Sequence, residues 1–207
     1  MAATAPPLVH GVIGNGRVLA LVSPGTHVEW LCLPRFDSPS IFGRLLDADI
    51  GGSFGFVPTG PYTTAMQYVP NTNVLQTHVT AADGTFDIYD YAPRIPAGLG
   101  VDAPPEIHRL LVARDGHPRV RVHFDPRPDY ARAAPDVVEV PHGLDVRGGP
   151  CPVYLRSNVP APYLKNGLEI RLDQPRYLLL GTANGDRVDT PASVQQALDQ
   201  TIAGWRA

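Results

Sequence analysis

Carboxylates are the side chains in this sequence whose type and number could support acid–base catalysis. Hydrolysis of a glycosidic bond needs two of them flanking the bond, one protonated as the acid and one acting as base or nucleophile. The candidates in the first half of the chain include Glu29, Asp37, Asp47, Asp49, Asp83, Asp87 and Asp90. Their spacing singles out no pair, since Asp83 fits a hairpin turn and Asp87 points outward from a strand. We therefore predict no catalytic residue in this chain.

Other residue types that carry chemistry form weaker patterns. Three histidines belong to one predicted hairpin: His108, His117 and His123. They fall on different faces or at its turn, so we interpret them as structural rather than as metal ligands. The glycine-rich residues 11–16 lead into a strand rather than a helix, which disfavours a phosphate site. Cys32 and Cys151 lack a CxxC or His-rich motif, so we expect no metal site, no disulfide and no cofactor.

The most distinctive stretch is HVEWLCLPRFDSPSIFGRLLD, residues 27–47. Its apolar run from Val28 to Leu33 predicts a central strand covered on both faces. Pro34 and Pro39 are expected to hold the loop between them extended, because the first cannot donate to a ladder and the second disfavours helix before it. A short apolar helical turn is predicted near residues 41–46.

The loop between these prolines supplies most of the candidate site. Arg35 and Asp37 lie on one side of an extended segment, where a guanidinium suits a carboxylate or vicinal hydroxyls. The alternative is that both only pair with neighbouring loops, as exposed charges commonly do. Phe36 is a better stacking candidate than Trp30, whose apolar strand is more typical of a core. The candidate substrate-rim or domain-interface residues are Trp30, Arg35, Phe36, Asp37, Ser38 and Tyr130.

Composition restricts the class of protein. The 207 residues are 43% hydrophobic and 18% charged, which is typical of a globular chain with a substantial core. The net charge of −3 gives no basic field for nucleic acid or an anionic membrane surface. Apolar runs are too short to span a bilayer, and the first ten residues do not resemble a secretory signal. With only two cysteines, a reducing cytoplasm is the expected compartment.

Short strands separated by turns dominate the rest of the chain. The 23 prolines and 20 glycines fit many strands joined by tight turns. Residues 62–69, 73–80 and 85–91 give the clearest strand pattern, with an Asp-Gly turn between the last two. Because helical patterns are missing between strands, we predict an all-β fold, a two-sheet antiparallel β-sandwich. Residues 1–9 are expected to be a loose lead-in, residues 10–188 the sandwich, and residues 189–207 a helix opened by Thr190-Pro191.

Four blocks of the sequence resemble the N-terminal β-sandwich domain of glycoside hydrolase family 15, the glucoamylases and bacterial trehalase-like enzymes. The blocks are IGNGRVLALVSPGTHVEWLCLPRFDSPSIFGRLLD, GGSFGFVP, YVPNTNVLQTHVTAADGTFDIYDYAP and RVHFDPRPDYARAAP. Their order and spacing match the family over most of the chain, and the WLCLPRFDSP block is specific by itself. Two departures are Asn15 and Glu29, where the family commonly has aspartate, and both bear on loop contacts at the domain interface.

The resemblance implies that the sandwich and a second domain have different roles. In the family a linker helix follows the sandwich and leads to an α/α-barrel that carries two catalytic glutamates of an inverting mechanism. Residues 189–207 would be that linker, and the barrel would be the partner of this chain. The chain itself is then expected to be non-catalytic, supporting the barrel and walling its sugar-binding rim during hydrolysis of α-glucosides. The loop at Arg35 to Ser38 is the element expected to reach that rim.

Two functions from other classes remain open on the sequence alone. A stand-alone carbohydrate-binding module would need an exposed aromatic strip and would bind α-glucosides or oligosaccharides without cleaving them. A self-associating structural sandwich would pair an exposed face with a copy of itself and form a homodimer.

Overall fold

Two antiparallel β-sheets, packed face to face, make up most of the structure, a computed structural model that describes residues 9–132, 134–182 and 188–207. The strands in chain order are β1 (Gly11–Gly14), β2 (Leu19–Val22), β3 (Val28–Cys32), β4 (Ser40–Phe42), β5 (Ser53–Pro58), β6 (Tyr62–Tyr68), β7 (Leu75–Ala81), β8 (Gly84–Tyr91), β9 (Ile95–Ala97), β10 (Gly100–Asp102), β11 (Glu106–Gly116), β12 (Arg119–Asp125), β13 (Asp136–Val140), β14 (Gly143–Arg147), β15 (Val153–Ser157), β16 (Glu169–Arg171) and β17 (Arg176–Gly181). The helices are α1 (Ala161–Asn166) and α2 (Pro191–Arg206).

The predicted all-β sandwich is confirmed. The first sheet has the order β1-β2-β3-β5-β12-β16, with β4 also paired to β3, and the second has the order β13-β14-β15-β17-β11-β8-β7-β6. Alternation along β12 shows why the sheets face each other: Val120 and Val122 are buried, whereas Arg121 is exposed. Aromatic rings fill the space between the sheets, among them Phe42, Phe54, Phe56 and Phe124. A two-stranded hairpin of β9 and β10 lies outside both sheets.

The helical turn predicted near residues 41–46 is wrong in its first half. Ile41 and Phe42 belong to β4, which pairs Phe42 with Leu31 of β3 and buries both side chains in the core. β-branched and aromatic side chains gain more from this pleated, buried position than from a short helix. The turn begins only at Gly43, whose carbonyl accepts from the backbone N–H groups of Leu46 and Asp47.

The predicted C-terminal helix is present and docked. Thr190 caps it reciprocally with Ser193, and Pro191 occupies its first turn. Val194 and Leu198 pack on the outer face of the second sheet, in a cluster with Tyr91, Leu110, Tyr177 and Leu179. The Tyr91 hydroxyl also donates to the Val194 carbonyl at 3.0 Å. In the described part of the chain, neither helix has the length and apolar character needed to cross a membrane.

A buried charge network fixes the segment that precedes α2. Arg156 donates to Asp189 at 2.8 Å and to Glu106 at 3.0 Å, and His108 bonds the other Glu106 oxygen at 2.8 Å. Burial by itself raises the pKa of Glu106, but the hydrogen bond from His108 and the charge of Arg156 outweigh it and hold the pKa at about 2. The network therefore ties the start of α2 to β11 and β15.

His27 gives the fold a predictable response to pH. Its ring lies 5.2 Å from that of His123, and burial followed by the charges of His123 and Arg109 lowers its pKa from 6.5 to about 4. Between pH 6.5 and 4 the unfolded chain binds this proton and the folded chain does not, so the free energy of unfolding falls as pH falls. We expect His27 to contribute a loss on the order of 2–3 kcal/mol between about pH 7.5 and 4.

Urea denaturation at a series of pH values measures this loss. His27→Gln should flatten the dependence between pH 6.5 and 4, whereas His117→Gln, at an exposed position, should leave it unchanged. Glu106, with its depressed pKa, adds its own loss as the pH falls through 4.5, but this loss is the same in both variants and cancels in the comparison. An unaltered slope in His27→Gln would show that another group carries the effect.

Candidate functional site

Two loops meet at one end of the sandwich and enclose a small apolar depression, which we call the loop recess. One is the turn of residues 43–51 and the other is the loop of residues 126–132. The recess is lined by Ser40, Gly43, Leu46, Asp47, Ile50, Gly51, Tyr130 and Ala131, and its volume is about 70 Å³. Both loops follow strands of the first sheet, β4 and β12, so the sheet fixes where they begin.

The turn of residues 43–51 is closed by its own backbone. Gly43 donates to the Gly51 carbonyl at 2.7 Å, and a Cβ on Gly51 would overlap the Gly43 backbone. The Asp47 carboxylate accepts from the N–H groups of Asp49 at 2.9 Å and Ile50 at 3.1 Å. With its polar groups satisfied in this way, the turn holds Leu46 and Ile50 outward, 73% and 58% exposed.

The facing loop has an uncommon backbone. Asp129, Tyr130 and Ala131 have φ values of 54°, 57° and 58°, a left-handed run without glycine. Such a conformation costs about 1–2 kcal/mol per residue, although aspartate tolerates it better than most. Arg127 anchors the loop by donating its N–H to the Ile41 carbonyl at 2.8 Å and accepting from Ala131 at 3.2 Å. The result is a Tyr130 side chain, 49% exposed, held at the edge of the recess.

Contrary to the prediction, the Arg35 to Ser38 loop is not extended. Ser38 donates its N–H to the Arg35 carbonyl at 3.1 Å, and its hydroxyl accepts from the Arg35 N–H at 3.2 Å, so the loop closes as a turn. The turn forms instead of an extended loop because the short Ser38 side chain offers the Arg35 backbone N–H a local hydrogen-bond acceptor. Arg35 and Asp37 are exposed and bond each other at 2.9 Å, and this hydrogen bond lowers the pKa of Asp37. The two charges thus satisfy one another.

The structure separates the aromatic candidates. Phe36 is 57% exposed and lines a shallow groove between the outer face of β1 and β2 and the Trp205 ring of α2. Tyr130 lines the loop recess instead. Trp30 lies half-buried in β3, opposite Leu21. The six sequence candidates therefore belong to several surfaces rather than to one site.

The buried carboxylates are bound to cations. Arg109 holds Asp90 at 2.7 Å, and Arg156 holds Glu106 at 3.0 Å. Asp87 faces outward from β8 as predicted, yet it is buried beneath Arg114 and His78, each 2.7 Å away. Within residues 9–132, 134–182 and 188–207, no three His, Cys, Asp or Glu side chains converge as metal ligands would.

Sequence reasoning missed the parts of the recess that matter most. Leu46 was expected on a helical turn, and its exposure could not be read from an apolar pattern. A usable signal was present in Gly43 and the Gly51-Gly52 pair, which mark a tight, close-packed turn. The two departures from the family, Asn15 and Glu29, make internal contacts: Asn15 bonds backbone groups, and Glu29 bonds His10 at 2.9 Å.

Comparison with known proteins gives a consistent family. Residues 2–162 match a family model described as trehalase-like, N-terminal. A trehalase of Thermoplasma volcanium is 31% identical over 138 residues, 65% of this chain and 22% of that protein. Trehalase 1 of Sulfolobus acidocaldarius is 45% identical over 83 residues, 40% of this chain and 14% of the relative.

A trehalase of Mycobacterium tuberculosis is 38% identical over 77 residues, 35% of this chain and 11% of that protein. The chain thus corresponds to a small part, 11–22%, of the length of these relatives. No solved structure matched. Because the family model covers most of the sequence, this chain belongs to the trehalase-like N-terminal domain family.

Proposed function

We propose that this chain is the non-catalytic N-terminal domain of a trehalase-like hydrolase of α-glucosides, supporting a catalytic barrel and walling the rim of its sugar site. The observation that carries the proposal is the family match over residues 2–162, a family described by its position at the N-terminus of trehalase-like proteins. The longer relatives named trehalase have most of their length outside the matched region. That remainder is where the proposal places the catalytic barrel.

The charge pairs of the sandwich support a non-catalytic role. An inverting glycosidase holds its two carboxyl groups about 6.5–9.5 Å apart with a water molecule between them, and one of the two must be protonated. Here Glu106 and Asp87 each accept from an arginine, which favours the ionised form. Such groups are suited to holding strands together and poorly suited to donating a proton.

The stiffness of the loops supports a positioning role. An inverting mechanism needs an acid, a base and a water molecule in fixed positions, and mobile neighbouring loops would let those positions vary. The turn of residues 43–51 and the Arg35 to Ser38 loop are both closed by internal hydrogen bonds. We place Arg35, Phe36, Asp37 and Ser38 at the sugar rim, where the guanidinium and carboxylate can exchange their mutual bond for sugar hydroxyls.

Glucose release from trehalose and maltose tests the proposal. The 207-residue chain alone should release no glucose above the buffer rate. In a polypeptide that joins this chain to its catalytic domain, Arg35→Ala combined with Asp37→Ala should lower kcat/KM about tenfold, as loss of one positioned charge contact would. Hydrolysis by the chain alone would overturn the non-catalytic role, and unchanged kinetics in the double variant would remove the loop from the rim.

A further inference from the structure

The loop recess combines features that exposed surface rarely has together. Three large apolar side chains, Leu46, Ile50 and Tyr130, surround one depression while remaining 73%, 58% and 49% exposed. Single exposed apolar residues need no explanation, but a contiguous group around a concavity is typical of an interaction surface. The tyrosine adds an apolar ring with a polar edge, a side chain enriched where proteins bind each other.

The recess is preformed. Backbone bonds close the turn of residues 43–51, and the Arg127 bond to the Ile41 carbonyl fixes the facing loop against β4. Glycine at position 52 lets the end of the turn lie close to the end of β12, because a Cβ there would overlap the Asp125 carbonyl oxygen. Three left-handed residues are maintained in this loop despite their conformational cost. A surface that is already ordered loses little conformational freedom when a partner binds.

Size and charge indicate the chemistry of the occupant. A volume of about 70 Å³ is far below the roughly 300–1,000 Å³ of small-molecule sites, so the recess does not enclose a sugar ring. Its charged neighbours are engaged: Asp47 accepts two backbone N–H groups, and Asp129 pairs with Arg132 at 3.1 Å. A neutral, apolar side chain is the group that this depression fits.

We infer that the loop recess is the docking point for the catalytic part of the same polypeptide and receives one apolar side chain from it. The inference rests on the proposed function and specifies where the two domains meet. It is favoured over a second copy of the chain because the matched segments make up only 11–22% of the relatives, so most of each relative's polypeptide lies outside them. An apolar surface next to such a large remainder of the same chain encounters it at high effective concentration.

Hydrogen–deuterium exchange on the polypeptide that contains both domains, compared with the 207-residue chain, tests the docking point. Amides of residues 43–51 and 127–132 should exchange more slowly in the longer polypeptide, by a factor of about ten or more. Leu46→Asp should abolish that protection and lower kcat/KM for trehalose about tenfold. Leu99→Asp is the matched control, since Leu99 is fully exposed at the hairpin of β9 and β10 and should change neither readout.

The outcomes separate the two proposals. Protected loops in a polypeptide that does not hydrolyse trehalose or maltose would overturn the proposed function and leave the docking point standing. Hydrolysis with unprotected loops would overturn the docking point alone. Light scattering of the 207-residue chain adds a third result: a dimer that Leu46→Asp dissociates would assign the recess to a second copy and refute the inference. Equal thermal melting of Leu46→Asp and the unmodified chain confirms that the variant folds.

Discussion

Replacing Arg109 with methionine is expected to lower the free energy of unfolding by about 3–5 kcal/mol, the usual effect of leaving one half of a buried ion pair alone. Arg109 and Asp90 both have side chains with no exposed surface. The guanidinium bonds both carboxylate oxygens, at 2.7 and 3.1 Å, from the adjoining strand. Without it, the Asp90 carboxyl group would remain in the interior without the cation that binds it.

The loss should lie toward the upper end of this range because Arg109 has further partners. It donates to the backbone carbonyls of Phe54 and Thr26 at 2.6 Å each, and thereby ties the second sheet to the first. Its charged group also lies 4.9 and 4.5 Å from the ring centres of Phe54 and Phe56, close enough for cation–π attraction. Methionine fills much of the space but supplies none of these donors.

Urea denaturation followed by far-UV circular dichroism measures the change, with Arg35→Met as the matched control. Arg35 also pairs with an aspartate at 2.9 Å but is exposed, so its loss should cost far less than the loss of Arg109. The double variant Arg109→Met with Asp90→Leu should recover part of the stability, because no unpaired charge then remains. Similar losses at Arg109 and Arg35 would show that burial does not govern this pair.

Local patterns predicted the elements whose stability is decided locally. Strand alternation identified β12 with the correct faces, since each outward Arg121 or His123 has a buried valine beside it. The start of α2 could also be predicted, because Thr190 and Pro191 act on the helix that they themselves open. In both cases the deciding interactions lie within a few residues of the side chains that signal them.

The sequence could not predict features that depend on distant partners. β4 was misread because its apolar residues fit a short helix equally well until β3 pairs with them. The Arg109–Asp90 pair was overlooked although the two residues face each other directly in the β8–β11 register. The loop recess needs residues from distant parts of the chain to meet, and no local pattern records that the loops of residues 43–51 and 126–132 converge.

Asn15→Asp is the second change with a large expected effect, a loss of about 2–4 kcal/mol near neutral pH, since two buried acceptors would lose their donor. The Asn15 side chain is 3% exposed and makes four hydrogen bonds. Its amide nitrogen donates to the carbonyls of Pro93 and Pro104 at 2.9 and 3.0 Å. Its oxygen accepts from the N–H groups of Arg17 and Val18 at 3.0 and 3.1 Å.

A carboxylate can replace only half of this arrangement. It would still accept from the turn, but its second oxygen would face two carbonyl oxygens without a proton between them. The loss should therefore shrink in acid, where the protonated carboxyl group of the variant can donate to one of the two carbonyls. Asn166→Asp is the control, because its amide donates to one carbonyl, that of Pro162, at an exposed helix end. A loss at Asn15 no larger than at Asn166, or one independent of pH, would contradict the assignment of the amide as a double donor.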